Sequence, residues 1–82
     1  MMETKVAVIS IVVSRMEMVE EINRLLHGCA DSIIGRMGIP YPEKGLNLIS
    51  IAIDAPEDKV CGLAAALEAL EGVNAKAIFA QS

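Results

Sequence analysis

Residues Lys5 to Val13 read Lys-Val-Ala-Val-Ile-Ser-Ile-Val-Val, and this stretch decides the fold. It is rich in β-branched side chains, which suit an extended chain. It is apolar at both parities: Val6, Val8 and Val12 on one side, Ala7, Ile9, Ile11 and Val13 on the other. Successive side chains of a strand point to opposite faces, so a strand that is apolar on both belongs at the centre of a sheet. Leu46 to Asp54 repeats the pattern, with Leu48, Ser50 and Ala52 set against Ile49, Ile51 and Ile53. It is a second central strand.

The segments around these strands follow. Ser14-Arg15-Met16-Glu17 reads as a capping box, the serine covering an amide three residues ahead and Glu17 reaching back. The helix it opens carries an apolar stripe at Met18, Val19, Ile22, Leu25, Leu26 and Cys29, at the 3.6-residue period. It stops near Gly28. Asp31 to Met37 reads as a strand, and Gly38 to Gly45, with Pro40 and Pro42, as a loop. Asp54-Ala55-Pro56-Glu57 opens a second helix, whose first turn tolerates the proline. Its stripe is Val60, Leu63, Ala64, Leu67 and Leu70. Gly72 is its left-handed cap, and Val73 to Ala80 is the last strand.

The order is therefore strand, helix, strand, strand, helix, strand, two split strand–helix–strand halves. With right-handed crossovers the antiparallel sheet has the order 4-1-3-2, which puts the first and third strands in the centre, as their two-sided apolar pattern requires. The predicted fold class is an α+β, ferredoxin-like βαββαβ sandwich with two helices on one face, formed as one domain over residues 1–82. The other face has no helix to cover it. It carries either Val6, Val8, Ser10 and Val12 with Leu48, Ser50 and Ala52, or the opposite parity.

Of the 82 residues 54% are hydrophobic, more than one small core can hide, so self-association is expected. The expected partner is a second copy, in a homodimer or homotetramer built through the open sheet face or the sheet edges. The net charge is −4 and the seven Lys and Arg are scattered, which disfavours direct binding to nucleic acid. Val6 to Val13, the longest apolar run near the N-terminus, is far below the roughly 20 residues of a membrane span, and no signal peptide is read. Two cysteines in an unstapled chain fit a reducing cytoplasm.

The most chemically pointed stretch is Ile33 to Tyr41, Ile-Ile-Gly-Arg-Met-Gly-Ile-Pro-Tyr, where an arginine interrupts an apolar run. Arg36 requires an acid, a carbonyl or an anion. The topology brings this stretch to the same end as Ser14 and the first helix's N-terminus, whose free amides favour anions. Ser14, Arg36, Met37, Gly38 and Tyr41 are the candidate ligand-binding residues. The alternative is that Arg36 pairs with Glu43 and the glycines only permit a turn. At the other end His27, Cys29 and Cys61 have metal-ligand chemistry, but their spacing is poor, and small buried cysteines with a solvated histidine are the simpler reading. No metal, cofactor or catalytic residue is assigned, and no enzyme is expected.

Met1 to Ile9, Ile33 to Tyr41, Leu48 to Pro56 and Leu70 to Val73 together resemble the small iron-only hydrogenase system regulators, over nearly the whole chain, with Gly35 to Tyr41 the most specific part. The resemblance implies an ACT-like domain akin to the C-terminal domain of nickel-responsive repressors. Those repressors add a DNA-binding ribbon-helix-helix arm and a histidine-rich nickel set. This sequence starts directly at its first strand and has one histidine, so neither direct repression nor nickel sensing is expected. The expectation is a small oligomeric regulatory module that binds a small effector, such as an amino acid, and acts through a partner in the iron-only hydrogenase system. The alternatives are a protein-interaction module without a ligand and a transcriptional regulator that binds DNA.

Overall fold

The computed structural model describes residues 3–81. Met1 and Met2, which open the family-like N-terminal segment, and Ser82 lie outside the described residues. Strands β1 (Lys5–Val13), β2 (Ile33–Tyr41), β3 (Leu46–Ala55) and β4 (Val73–Phe79) and helices α1 (Val19–His27) and α2 (Glu57–Glu68) follow the order β1-α1-β2-β3-α2-β4. The sheet order is β2-β3-β1-β4, with every neighbouring pair antiparallel. This is the expected 4-1-3-2 order of the ferredoxin-like sandwich.

The register resolves which parity faces the helices. Ala7, Ile9, Ile11 and Val13 of β1 lie opposite Ile53, Ile51, Ile49 and Asn47 of β3. These side chains, Asn47 excepted, are buried against Ile22 and Leu26 of α1 and Val60, Leu63 and Leu67 of α2. Val6, Val8, Ser10 and Val12 with Leu48, Ser50 and Ala52 take the open face. Burial alternates along β1 with period 2 as a result.

Five local expectations are corrected. Ser14 does not cap α1: its amide and its Oγ both donate to the Gly72 carbonyl, at 2.8 and 3.0 Å. Glu17 does not reach back, because Arg15 holds its carboxylate from Nε and Nη2 at 3.1 and 2.6 Å. The chain enters α1 through a 3₁₀ turn, Met16–Met18, without a side-chain cap. The second strand begins only at Ile33, after a 3₁₀ turn at Ala30–Ser32, and it does not end at Met37. It runs through Gly38, Ile39 and Pro40 to Tyr41, paired with β3 all the way. Proline is tolerated there because β2 is an edge strand, where a missing N–H leaves no ladder bond unmade. The expected loop contracts to a 3₁₀ turn at Pro42–Lys44 closed by left-handed Gly45. α2 ends at Glu68, so left-handed Gly72, expected as its cap, lies in the turn beyond it. Cys61, read as a buried small hydrophobe, is exposed on α2, and Cys29 is half-buried; both are free thiols.

Gly72 bears two constraints at once. Its φ is +77°, and a Cβ there would lie 2.4 Å from Arg15 Cγ and 2.9 Å from Arg15 Cβ. The left-handed conformation alone costs a non-glycine residue roughly 1–2 kcal/mol. Gly72→Ala should therefore destabilise the fold by more than that, measured by urea denaturation. In an Arg15→Ala background the overlaps with Cγ and Cδ are gone and only the approach to Cβ remains, so the cost of the same substitution should fall towards the conformational part.

Candidate functional site

β2 carries the candidate residues, and an irregularity in its pairing decides where each one points. Ile33 lies opposite Ile53, but Gly35 lies opposite Ala52, so two residues of β2 are spent against one of β3. This bulge leaves Ile34 exposed and inverts the parity of everything beyond it. Arg36 is opposite Ile51 and Gly38 opposite Ile49, on the helix side. Met37 is opposite Ser50, Ile39 opposite Leu48 and Tyr41 opposite Leu46, on the open side.

The five predicted ligand residues are thus not brought together. Met37 and Tyr41 face the opposite side of the sheet from Arg36 and Gly38. Ser14 follows Val13 at the end of β1, whereas Arg36 lies level with Ile9 through Ile51. From Ile9 to Ser14 is roughly 16 Å along the strand, and β3 stands between β1 and β2. Ser14 also spends its hydroxyl on Gly72.

On the helix side Arg36 meets two residues that the sequence did not single out as a pair. Its Nη2 donates to Asn23 Oδ1 at 3.0 Å. Asn23, His27 and Arg36 line a groove of about 360 Å³ between α1 and the edge strand, with Leu26, Ala30 and Ile33. Asn23 and His27 are four apart on α1 and so share a helical face. The expected alternative for Arg36, an ion pair with Glu43, does not form. Among the described residues the other arginines do find acids: Arg15 holds Glu17 and Glu71, and Arg24 holds Glu21. The hydrogen bond from Arg15 keeps the Glu17 carboxyl below the usual range, and that from Arg24 does the same to Glu21. Arg36 has only a neutral amide.

On the open side the exposed large apolar side chains gather. Val6, Val8, Val12, Met37, Ile39, Tyr41, Leu48 and Ile78 all lie on this face; Met16 and Ile34 are the other exposed large apolar residues described. A polar row, Ser50–Ser10–Lys76, crosses the middle and meets Met37 at the β2 edge, beside a hollow of about 220 Å³ walled by Val12, Met37, Ile39 and Leu48. No group of three His, Cys, Asp or Glu able to hold a metal ion is found among the described residues. No helix among them is long and apolar enough to cross a membrane.

A family model, TM1266-like, described as "iron-only hydrogenase system regulator, putative", matches residues 5–77. The chain belongs to this family. A solved structure of the TM1266 protein from Thermotoga maritima is 26% identical, with a TM-score of 0.92 over 96% of this chain and 100% of that one. A second, an unknown protein from Galdieria sulphuraria, is 16% identical with a TM-score of 0.66, over 98% of this chain and 47% of that one, and shows the fold alone. No curated protein matches. The TM1266-like match spans both the Arg36 groove and the open face, from β1 into β4, so both features lie within the family's own domain.

Sequence reasoning found Arg36 but missed its neighbours. Asn23 and His27 were legible as one helical face, and Gly35 inside a strand pattern is a recognised sign of a bulge. What could not be read was the parity after the bulge. Arg36 is exposed and makes one hydrogen bond to a neutral side chain, so it contributes little to folding. Arg36→Ala should shift the unfolding free energy by no more than about 0.5 kcal/mol in urea denaturation. A larger loss would mark Arg36 as a structural strut.

Proposed function

We propose that this chain is a non-catalytic, homo-oligomeric regulatory module of the iron-only hydrogenase system. On this reading it binds a small effector and reports it to a protein partner. The observation that carries the proposal is the concentration of exposed apolar side chains on one sheet face. Soluble monomers seldom expose a contiguous apolar patch of this kind without using it. Eight large side chains, each between 38% and 66% exposed, amount to on the order of 700 Å², close to the roughly 800 Å² per partner of a standard interface.

The face supports association better than the edges do. The β2 edge is broken by the Ile34 bulge and by Pro40. At the β4 edge the Ala75 N–H is taken by the Glu68 carboxylate of α2 at 2.6 Å. Bulges, prolines and covered amides are the devices that stop sheets from pairing edge to edge. Met37, Ile39 and Tyr41 then belong to the subunit contact, while Arg36, on the other side of the same strand, is the residue left for the effector. Family membership supports the regulatory role, and two free thiols are in keeping with a cytoplasmic location.

Native mass spectrometry with sedimentation analysis tests the assembly. The wild type should be a dimer or tetramer at micromolar concentration, and Met37→Asp with Ile39→Asp should yield a folded monomer, because each places a charge in a face that must be dry. A wild-type monomer, or an assembly indifferent to both aspartates, would overturn the reading.

A further inference from the structure

We propose that the groove between α1 and β2 is a binding site for a small monocarboxylate with a short apolar chain, a ligand without an α-amino group. This rests on the effector-binding reading above and names the class of effector.

Three features of the groove carry the inference. The first is charge. Arg36 presents a guanidinium fork whose one partner among the described side chains is the Asn23 amide oxygen. A planar fork of N–H donors matches a carboxylate in two parallel hydrogen bonds. Asn23 holds the fork in place by accepting from Nη2, and its own amide N–H groups remain to donate to the same ligand. The His27 ring stands one helical turn further along the same face and offers another polar contact.

The second feature is the floor. Leu26 is 2% exposed, and it shares the lining with Ile33 and Ala30. The polar groups therefore form one wall over an apolar base, the arrangement of sites for small amphipathic molecules. A volume of about 360 Å³ suits a short chain.

The third is what the lining lacks. Its six residues include no carboxylate. An amino acid would bring an ammonium group beside the Arg36 guanidinium with no acidic side chain of the lining to balance it, and like charges at close range repel. The groove therefore discriminates against the amine, whereas the sequence alone suggested an amino acid.

A matched set of probes separates the possibilities: isocaproate, leucine (the same skeleton with the amine added) and isoamylamine (the leucine skeleton without the carboxylate). Titration calorimetry on the full chain should show isocaproate binding, leucine weaker by roughly tenfold or more, and isoamylamine not at all. Amide-proton NMR should place the isocaproate shifts at Asn23, His27 and Arg36. Arg36→Gln should lose roughly tenfold or more of the isocaproate affinity, the usual loss when a charge-assisted hydrogen bond is removed, and Arg36→Lys should recover only part, having charge without the fork. Circular dichroism confirms that both variants fold. Leucine binding as tightly as isocaproate, isoamylamine binding equally, or shifts that map elsewhere would each overturn the proposal, as would silence from all three probes. The assembly measurement is separate. A dimer that ignores isocaproate sinks the groove and spares the face, and a monomer that binds it does the reverse.

Discussion

The structure depends on the pairing of β1 with β3. Nine residue pairs, from Lys5 with Ala55 to Val13 with Asn47, are held in one register. That register aligns Ala7, Ile9, Ile11 and Val13 with Ile53, Ile51 and Ile49 on one side. A slip of β1 by one residue would turn its apolar set to solvent and bring Ser10 under the helices. No buried polar or charged residue is found among those described. The core is therefore specified by shape and apolar area alone, from aliphatic side chains without large rings. α1 and α2 supply little of the definition themselves: neither has a side-chain cap. They are held by Ile22, Leu26, Val60, Leu63 and Leu67 against that strand pair.

The same pairing creates the open face. A central strand apolar at both parities satisfies one side with helices and leaves the other unsatisfied. The described residues form one sheet and two α-helices, and the right-handed preference of such crossovers puts both helices on the same face. The exposed valines of β1 are therefore a consequence of the topology. Their polar interruption, Ser10 beside Ser50 and Lys76, sits mid-height between the Val8 and Val12 rows. It is a place in the middle of that face where a register between facing sheets could be fixed by hydrogen bonds; Asp54 and Asn74 lie on the same parity nearer the ends of the strands.

Much of the fold was legible because it is encoded by period. Strand order, the two central strands, the stripes of both helices and the left-handed Gly72 all follow from side-chain repeats and turn chemistry. What failed was local competition. Ser14-Arg15-Met16-Glu17 has the composition of a capping box, yet the Gly72 carbonyl takes the serine and Arg15 takes the glutamate. Gly38-Ile39-Pro40-Tyr41 has the composition of a loop, yet β3 is long enough to pair with it, and an edge strand forgives the proline. The candidate site was half legible for a related reason. Arg36 was conspicuous by type, but its direction depends on the extra residue at Ile34, which shifts no composition and no period on the scale a strand displays.

That extra residue also determines how the two proposed roles relate. Without the bulge, Arg36 would share the open face with the apolar patch, and an arginine would stand in the surface that must be dried for assembly. With it, alternate residues of β2 serve opposite sides: Arg36 looks to α1, while Met37, Ile39 and Tyr41 look to the open face. The two functions are separated by the thickness of one strand and joined by its backbone. β2 is bonded to the sheet along only one edge, so a ligand that draws Arg36 and α1 together acts on a strand less restrained than the central pair. Any such shift carries Met37 and Ile39 with it. Coupling between sites is reciprocal, so if the proposed ligand alters the proposed assembly, assembly alters the affinity of the groove by the same factor. Placing the two proposed roles on alternate residues of one edge strand is an arrangement that a single sheet allows.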